Sequence, residues 1–367
     1  MHNKKIKKCI LNKNLKCLYT NADQFLNKKD DLLIAIADDQ PDIMLITEVI
    51  PKNQVQPIAE VQLLIDGYDC LINFDHTKPN LGASGIRGVA IYTKVSLKVT
   101  DDIEIKIEEF YDHLWIEIPL EKEDSLLIGC VYRSPSNDSD KESSMSSTEK
   151  VIKLVKTAYE YNSKLLIVGD FNYKQIDWDN DFVPQRQEHL LKFIDMIQDL
   201  HLHQHVSEPT RYRMNETPAL LDLVLTNEEN IVHELEYLPP LGESDHICLG
   251  INLSLSQKNL KSKSNEQTYN VFKSNYDDIK SELRKKDWEK ILTSNFETDY
   301  NIFFDLLDEL MKKHTPLKKL QTAKKSIYMN SEAIRLKNAK RRSWKRYVTT
   351  RSQHDKNNYI SRKNKLR

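Results

Sequence analysis

The chain has 367 residues, 39% hydrophobic and 30% charged, a balance that fits a globular protein with a more polar part attached. Its 54 basic and 55 acidic side chains leave a net charge of -1, so bulk charge points to no class of partner. Five scattered cysteines without CxxC spacing argue against zinc ribbons and disulfide frameworks, and the longest apolar run, 32–37, is far too short to span a bilayer. In chain order, residues 1–12 read as a basic tail, because Ile10-Leu11 runs into Asn12-Lys13-Asn14 and forms no secretory core. An intracellular, non-secreted protein is expected. Short branched-apolar runs then predict strands at Leu15–Thr20, Asp42–Thr47, Tyr68–Phe74, Gly88–Thr93, Leu114–Ile118, Leu126–Tyr132, Lys164–Gly169, Asp222–Thr226 and Ile247–Leu253. Helical periodicity predicts Asp30–Asp39, Thr148–Tyr161 and Gln187–Leu200, and the Ser/Asp/Lys-rich stretch from Ser134 to Thr148 reads as a mobile loop.

All eight glycines lie between Gly67 and Gly250, and the composition shifts near residue 255. Residues 13–255 therefore read as one domain, 256–270 as a linker and 271–367 as a helical, basic region. In that region Asn275 could cap a helix with Asp277 and Asp278 in its first turn, Asn301–Lys312 carries an apolar stripe, and Ser331–Val348 reads as a basic helix. Nine strands with few helices between them suit two packed sheets better than a wheel of βαβ units.

Several predicted strands end in groups that a core does not need. Leu15–Thr20 runs into Asn21-Ala-Asp23, Ile43–Thr47 into Glu48, Leu126–Val131 into Tyr132, and Leu165–Gly169 into Asp170-Phe-Asn172. Asp222 opens one strand, and Gly242-Glu-Ser-Asp-His246 precedes another. Each alone could be a turn residue. Together they place carboxylates, amides, a phenol and an imidazole at one edge of the predicted sheets, where rigid strands deliver function.

This ordered set resembles the endonuclease/exonuclease/phosphatase superfamily, and most of all the apurinic-endonuclease-like domain of non-LTR (LINE-type) retrotransposon proteins. Gly-Asp-Phe-Asn and Ser-Asp-His are its most specific pieces, with Ile-Thr-Glu and Val-Tyr-Arg-Ser-Pro in support. The resemblance covers roughly residues 12–255. It implies a four-layer α/β sandwich with two central β-sheets (DNase I-like), here followed by a helical extension that starts the linker toward a reverse transcriptase. It further implies Mg²⁺, with Mn²⁺ as a substitute, held by Glu48 with Asp23 and Asp245 beside it, since hard cations take oxygen ligands. Asp170 would activate water, and Asn172 would position that water and contact the phosphate. His246, oriented by Asp222, would bind the phosphate or move protons, and Asn21 and Tyr132 would complete the cradle. One departure is Gln24, where the superfamily's first motif often has glycine.

The resemblance makes the expected activity a nick in double-stranded target DNA that primes reverse transcription in the nucleus, with a polymerase domain downstream in a longer polyprotein. An abasic-site nuclease, a deadenylase, an inositol-phosphate phosphatase and an inactive nucleic-acid-binding relic are the alternatives. Tyr276-Asp-Asp278 and Ala37-Asp-Asp39 suit helix termini better than polymerase carboxylates, and His201-Leu-His-Gln-His205 suits a solvated loop better than a metal strand. From Arg335 to Arg367 thirteen bases face the single acid Asp355, a net of about +12. That run, with Arg341, Arg342, Lys345 and Arg346 and the interleaved Trp344 and Tyr347, is expected to meet nucleic acid, RNA included.

Overall fold

A computed structural model describes residues 15–120, 124–135, 141–161, 163–178, 183, 187–213, 216–255, 267–269, 273–292, 296–319 and 331–366. The expected tail 1–12, most of the expected linker 256–270 and the middle of the expected 134–148 loop lie outside these residues. In chain order the strands are β1 (Leu15–Asn21), β2 (Ile43–Thr47), β3 (Tyr68–Ile72), β4 (Val89–Lys94), β5 (His113–Pro119), β6 (Ser125–Tyr132) and β7 (Lys164–Asp170). They continue with β8 (His203–Gln204), β9 (Asp222–Thr226), β10 (Val232–Leu238), β11 (Cys248–Leu253), β12 (Gln267–Tyr269) and β13 (Leu317–Lys319). The helices are α1 (Lys29–Asp39), α2 (Glu60–Leu63), α3 (Lys141–Tyr159), α4 (Glu188–Asp199), α5 (Tyr276–Arg284), α6 (Trp288–Ile291), α7 (Phe296–His314), α8 (Ser331–Thr350) and α9 (Gln353–Leu366).

Two mixed sheets organise the chain, one ordered β10-β11-β1-β2-β4-β3 and the other β5-β6-β7-β9-β8. Alternation along each strand explains why they stack. In β1, Leu15, Cys17 and Tyr19 join the core between the sheets, while Leu18 turns to the layer that holds Leu32 and Ile36 of α1. In β7, Leu166 and Val168 face the same central core, while Leu165 and Ile167 meet Leu154 and Val155 of α3 and Phe193 of α4. With a period of two, one strand feeds two apolar layers, and helix–sheet–sheet–helix is the result.

Every predicted strand is present, with ends shifted by a residue or two. The structure adds β10, an edge strand whose partly exposed Glu234 and Glu236 obscure its alternation. It also extends α3 back to Lys141, so part of the expected loop is helix. Ser144 and Thr148 are fully buried there, polar positions that hide the apolar period. Among the described residues no helix is long and apolar enough to cross a membrane.

The chain divides into two compact units, 1–257 with 327–367, and 258–326. The single region expected at 271–367 is therefore split: α5 to α7 belong to one unit, while α8 and α9 belong to the sandwich. The reason is apolar. Trp344 and Tyr359 are buried in the central core cluster, and Tyr347 and Val348 pack against it. In the smaller unit, Asn275 accepts the Asp278 backbone N–H as the cap of α5, so Tyr276-Asp-Asp278 is a helix start.

Candidate active site

The same alternation that builds the core delivers the polar rim. Asn21 continues the inward series 15-17-19 of β1, Tyr132 the series 126-128-130 of β6, and Asp170 the series 166-168 of β7. Asp222 opens β9 two residues before the inward Val224. Strand register then aligns Tyr132 with Asp170 and Asp170 with Asp222. Each strand thus runs apolar through the core and ends in one polar side chain aimed at the gap between the sheets. Phe171 turns the other way and buries its ring beside Phe193, 5.8 Å between centroids.

Hydrogen bonds stitch the two sheets together across that gap. Asp222 accepts the Tyr19 hydroxyl at 2.6 Å through Oδ1 and faces His246 Nδ1 at 2.7 Å through Oδ2. His246 Nε2 then lies 3.8 Å from Asp170 Oδ2. Asn21 Nδ2 donates to Asp170 Oδ2 at 2.9 Å and to Glu48 Oε1 at 3.0 Å. Arg87 donates to the other oxygen of Glu48 from Nε at 3.2 Å and from an Nη at 2.7 Å. Ser244 Oγ donates to the Asn21 carbonyl at 2.8 Å and accepts the His246 N–H at 3.2 Å, which fixes the Ser-Asp-His turn to β1.

Burial sets the protonation equilibria. Asp170 is 1% exposed, and burial first, then the Asp222 carboxylate opposite it, raise its pKa far above the usual carboxylate range. Burial opposes a charge on His246, but Asp222 and Asp170 outweigh it and lift the imidazole to about 9. Glu48 pays the same burial penalty, yet the hydrogen bonds from Asn21 and Arg87 hold it below its ordinary value. Burial and then Glu48, to which its hydroxyl hydrogen-bonds, raise the Tyr132 phenol. One carboxyl suited to accept a proton and one kept ionised thus share a single rim.

Residues 126–249 match the family model described as "Endonuclease-reverse transcriptase". None of the curated proteins compared matches the chain. The fold is similar to the "Endonuclease domain of TRAS1, a telomere-specific non-LTR retrotransposon", at 16% identity and a TM-score of 0.50, over 67% of this chain and 100% of that one. It is also similar to the AP endonuclease LMAP from Leishmania major, at 15% identity and a TM-score of 0.52, over 66% of this chain and 88% of that one. Residues 126–249 thus match an endonuclease family model, and the sandwich shares its fold with these nucleases.

The donor set at this rim is compatible with a divalent metal. Glu48 is held below its ordinary pKa, and an ionised carboxylate is the kind of oxygen donor that hard cations take. Asp245 pairs through Oδ2 with Arg211 at 3.0 Å and Arg213 at 3.2 Å, which leaves Oδ1 turned toward His246 at 3.9 Å. Asp23 stands at the mouth, 45% exposed and 3.6 Å from the Lys28 ammonium. That ammonium lies within electrostatic reach of Asp23, Asp245 and Glu48 together. Asp170, Asp222 and His246 also place one ligand-type atom each within 4.8 Å of one another. His246 Nδ1 and Asp222 Oδ2 are committed to each other, however, so this trio has the geometry of a proton-handling dyad beside a carboxyl.

The structure thus brings Asn21, Glu48, Tyr132, Asp170, Asp222 and His246 to one rim, with Asp23 and Asp245 at its mouth. Asn172 sits one turn away at φ +53°, its amide donating to the Arg133 carbonyl at 2.8 Å. Gly169 has a steric reason: a Cβ there would meet the Val131 carbonyl oxygen at 1.9 Å. Gln24, in the place of the usual glycine, keeps a left-handed backbone at φ +76°, a conformation costing a non-glycine residue about 1–2 kcal/mol. Its N–H donates to the Glu48 carbonyl at 2.9 Å, and Lys28 clamps the carbonyls of Ala22 and Asp23, so the turn survives without the glycine.

The basic residues of α8 separate. Arg341 pairs with Asp39 of α1 at 2.5 Å, and Arg346 pairs with Asp355 at 3.0 Å, while Arg342 and Lys345 are exposed. Trp344, expected among the nucleic-acid contacts, is 5% exposed and packs edge-on to Tyr212 at 5.5 Å. Its apolar area is worth more inside the sandwich than on a surface.

Sequence reasoning missed Tyr19, Lys28, Arg87 and Arg133. Tyr19 looks like an ordinary core residue; its place two before Asn21 in the inward series was the available signal. Arg133 is buried, 4.4 Å over the Tyr173 ring, and donates to the Phe171 carbonyl at 3.3 Å, so it braces the Asp-Phe-Asn turn. Its position in Tyr-Arg-Ser-Pro hinted at this. Arg87 carries no local signal, because only the β2–β4 pairing brings it to Glu48.

Proposed function

We propose that this chain is a metal-dependent endonuclease that hydrolyses DNA phosphodiester bonds and nicks target DNA for a non-LTR retrotransposon. The observation that carries the reading is the bridged rim itself, where Asp170 and the Asp222–His246 dyad from one polar edge face Asn21 and Glu48. The retrotransposon role draws on the family model described as "Endonuclease-reverse transcriptase" and on the TRAS1 fold likeness.

In the proposed reaction a water oxygen bonds to phosphorus as the bond to the 3′-oxygen breaks. Asp170, with its raised affinity for a proton, accepts the proton that the water gives up. Asn21, donating to Asp170 Oδ2, holds that carboxylate in place, and Asn172 contacts water and phosphate from the following turn. His246, kept protonated by Asp222, donates from Nε2 to a non-bridging phosphate oxygen as charge builds there. Glu48, with Asp23 and Asp245, would hold Mg²⁺ or Mn²⁺, which when bound neutralises the phosphate and the leaving oxygen. Tyr132 steadies Glu48 through its hydroxyl.

Plasmid nicking in Mg²⁺, by the wild type and by Asp170→Ala and His246→Ala, tests the proposal. Conversion of supercoiled to open-circular DNA by the wild type, with loss of about a hundredfold or more in each variant, is expected. Equal nicking by all three would refute the site. Turnover confined to an abasic duplex, or to a phosphoinositide, would move the assignment to one of the alternative phosphoesterases.

A further inference from the structure

The turn between α8 and α9 lies against the loop that precedes β9, and the two enclose a cleft of about 500 Å³. Tyr212, Arg213 and Glu216 line it from the loop, and Tyr347, Arg351 and Lys356 from the helices. Three cations thus face one carboxylate, and Glu216 is itself engaged by Arg211 at 3.6 Å and Arg213 at 3.5 Å.

The cleft is rigidly made. Arg351 adopts a left-handed backbone at φ +54°, which a non-glycine residue keeps only when its surroundings demand it. Its N–H donates to the Tyr347 carbonyl at 2.8 Å, and its guanidinium lies 4.4 Å over the Tyr212 ring. Ser352 Oγ then caps α9 by accepting the Asp355 N–H at 3.1 Å. Tyr212 stacks edge-on against the buried Trp344, so the aromatic anchor of the helices also fixes one wall of the cleft.

The cleft also adjoins the reactive rim. Arg213 lines it and reaches Asp245 Oδ2 at 3.2 Å, and the Tyr212 N–H donates to the Asp245 carbonyl at 2.7 Å. Asp245 precedes His246 in the chain. The Arg213 side chain is 58% exposed, so its guanidinium is open to solvent beside the cleft. A planar guanidinium stacked on a tyrosine, beside a lysine and a second exposed arginine, is a pattern that phosphate backbones fit.

We propose that Arg351 and Lys356 form a backbone-phosphate site that grips duplex DNA flanking the scissile bond, so that the C-terminal helices complete the substrate platform. The inference rests on the DNA-nicking reading of the neighbouring rim. Its occupant is a duplex phosphate, and sequence is not read there.

The test is anisotropy of a short labelled duplex in EDTA, titrated with the full chain at several salt concentrations. The wild type is compared with Arg351→Glu/Lys356→Glu and with Lys153→Glu/Lys156→Glu, which makes the same charge change on exposed residues of α3. Loss of two phosphate contacts should make the log–log salt slope shallower by about 2 and weaken binding at low salt about tenfold or more. The α3 variant should stay within about twofold, and Lys356→Gln, which leaves the Tyr212 stack intact, should lose about half the slope change. Matching slopes in wild type and cleft variant, equal losses in the α3 variant, or tighter binding of RNA than of duplex would overturn the inference. Wild-type nicking in Mg²⁺, assayed alongside, separates the two claims. Nicking with an inert cleft removes this site alone, and cleft-dependent binding without any nicking removes the nuclease reading alone.

Discussion

The reactive rim and the seam that docks α8 and α9 both bury charge, but to different ends. At the rim, Asp170 and Asp222 stand opposite each other in register, and the stress of two buried carboxylates appears as a raised pKa on Asp170. At the seam, Asp39 meets Arg341 at 2.5 Å, Lys16 at 3.3 Å and Lys337 at 3.6 Å. Burial would raise its pKa, but these cations win and lower it. Like charges are held together at the rim, where the proposed chemistry needs a proton acceptor, and opposite charges at the seam, where only adhesion is needed. On that proposal, stability and reactivity lie in different parts of one domain.

The largest expected effect breaks the rim alone. Asp170→Asn should lower nicking by about a thousandfold, within the usual range for a general base, while leaving the melting temperature unchanged or higher because the carboxylate repulsion is gone. Kinetics and calorimetry on one preparation check both halves; a large fall in melting temperature would contradict the comparison. The seam should behave oppositely. Trp344→Ala should destabilise the domain by about 3–5 kcal/mol, read as a lower denaturation midpoint and early proteolysis after residue 330.

A smaller effect tests whether the rim depends on its buried support. Tyr19→Phe removes the hydroxyl that donates to Asp222 at 2.6 Å. It should cost about 1–3 kcal/mol of stability and raise the pKa of His246 or leave it unchanged, since the carboxyl group that faces the imidazole loses only a competing donor. NMR titration of the imidazole measures the second quantity, and a fall of a full unit would require another account of the dyad.

The smallest effect concerns pH at the seam. The folded pKa of Asp39 lies below its unfolded value, so the stability it contributes is complete above the unfolded pKa of about 4 and is lost as pH falls through the lower folded value. Tryptophan fluorescence should show α8 loosening only in that acid window, with about 1 kcal/mol removed by Asp39→Asn at neutral pH. Loosening that starts near pH 6 would point to a histidine instead.

Much of the rim was legible because polar residues ending apolar strands are conspicuous. Asn21, Glu48, Tyr132, Asp170, Asp222 and His246 each interrupt or close a run of branched residues, and a period of two predicts which face they share. Partners that look ordinary in sequence were not legible. Tyr19 reads as core, Arg87 as a loop cation and Lys28 as a helix-start charge, and each matters only through contacts made far along the chain. The basic tail shows the opposite failure: its charge was plain, but charge does not say which side of a helix is covered. Only the buried Trp344 and Tyr359 settle that Arg341 turns inward while Arg342 and Lys345 face solvent.

By itself, then, the sequence determined the strands, their inward faces and the chemical types gathered at their ends, because alternation and punctuation are local properties of the chain. Tertiary structure alone decided which oxygen of Glu48 Arg87 holds, which carboxylate orients His246, and that α8 and α9 join the sandwich. Those outcomes depend on residues up to 302 positions apart, as Asp39 and Arg341 are, and no local pattern encodes so distant a meeting.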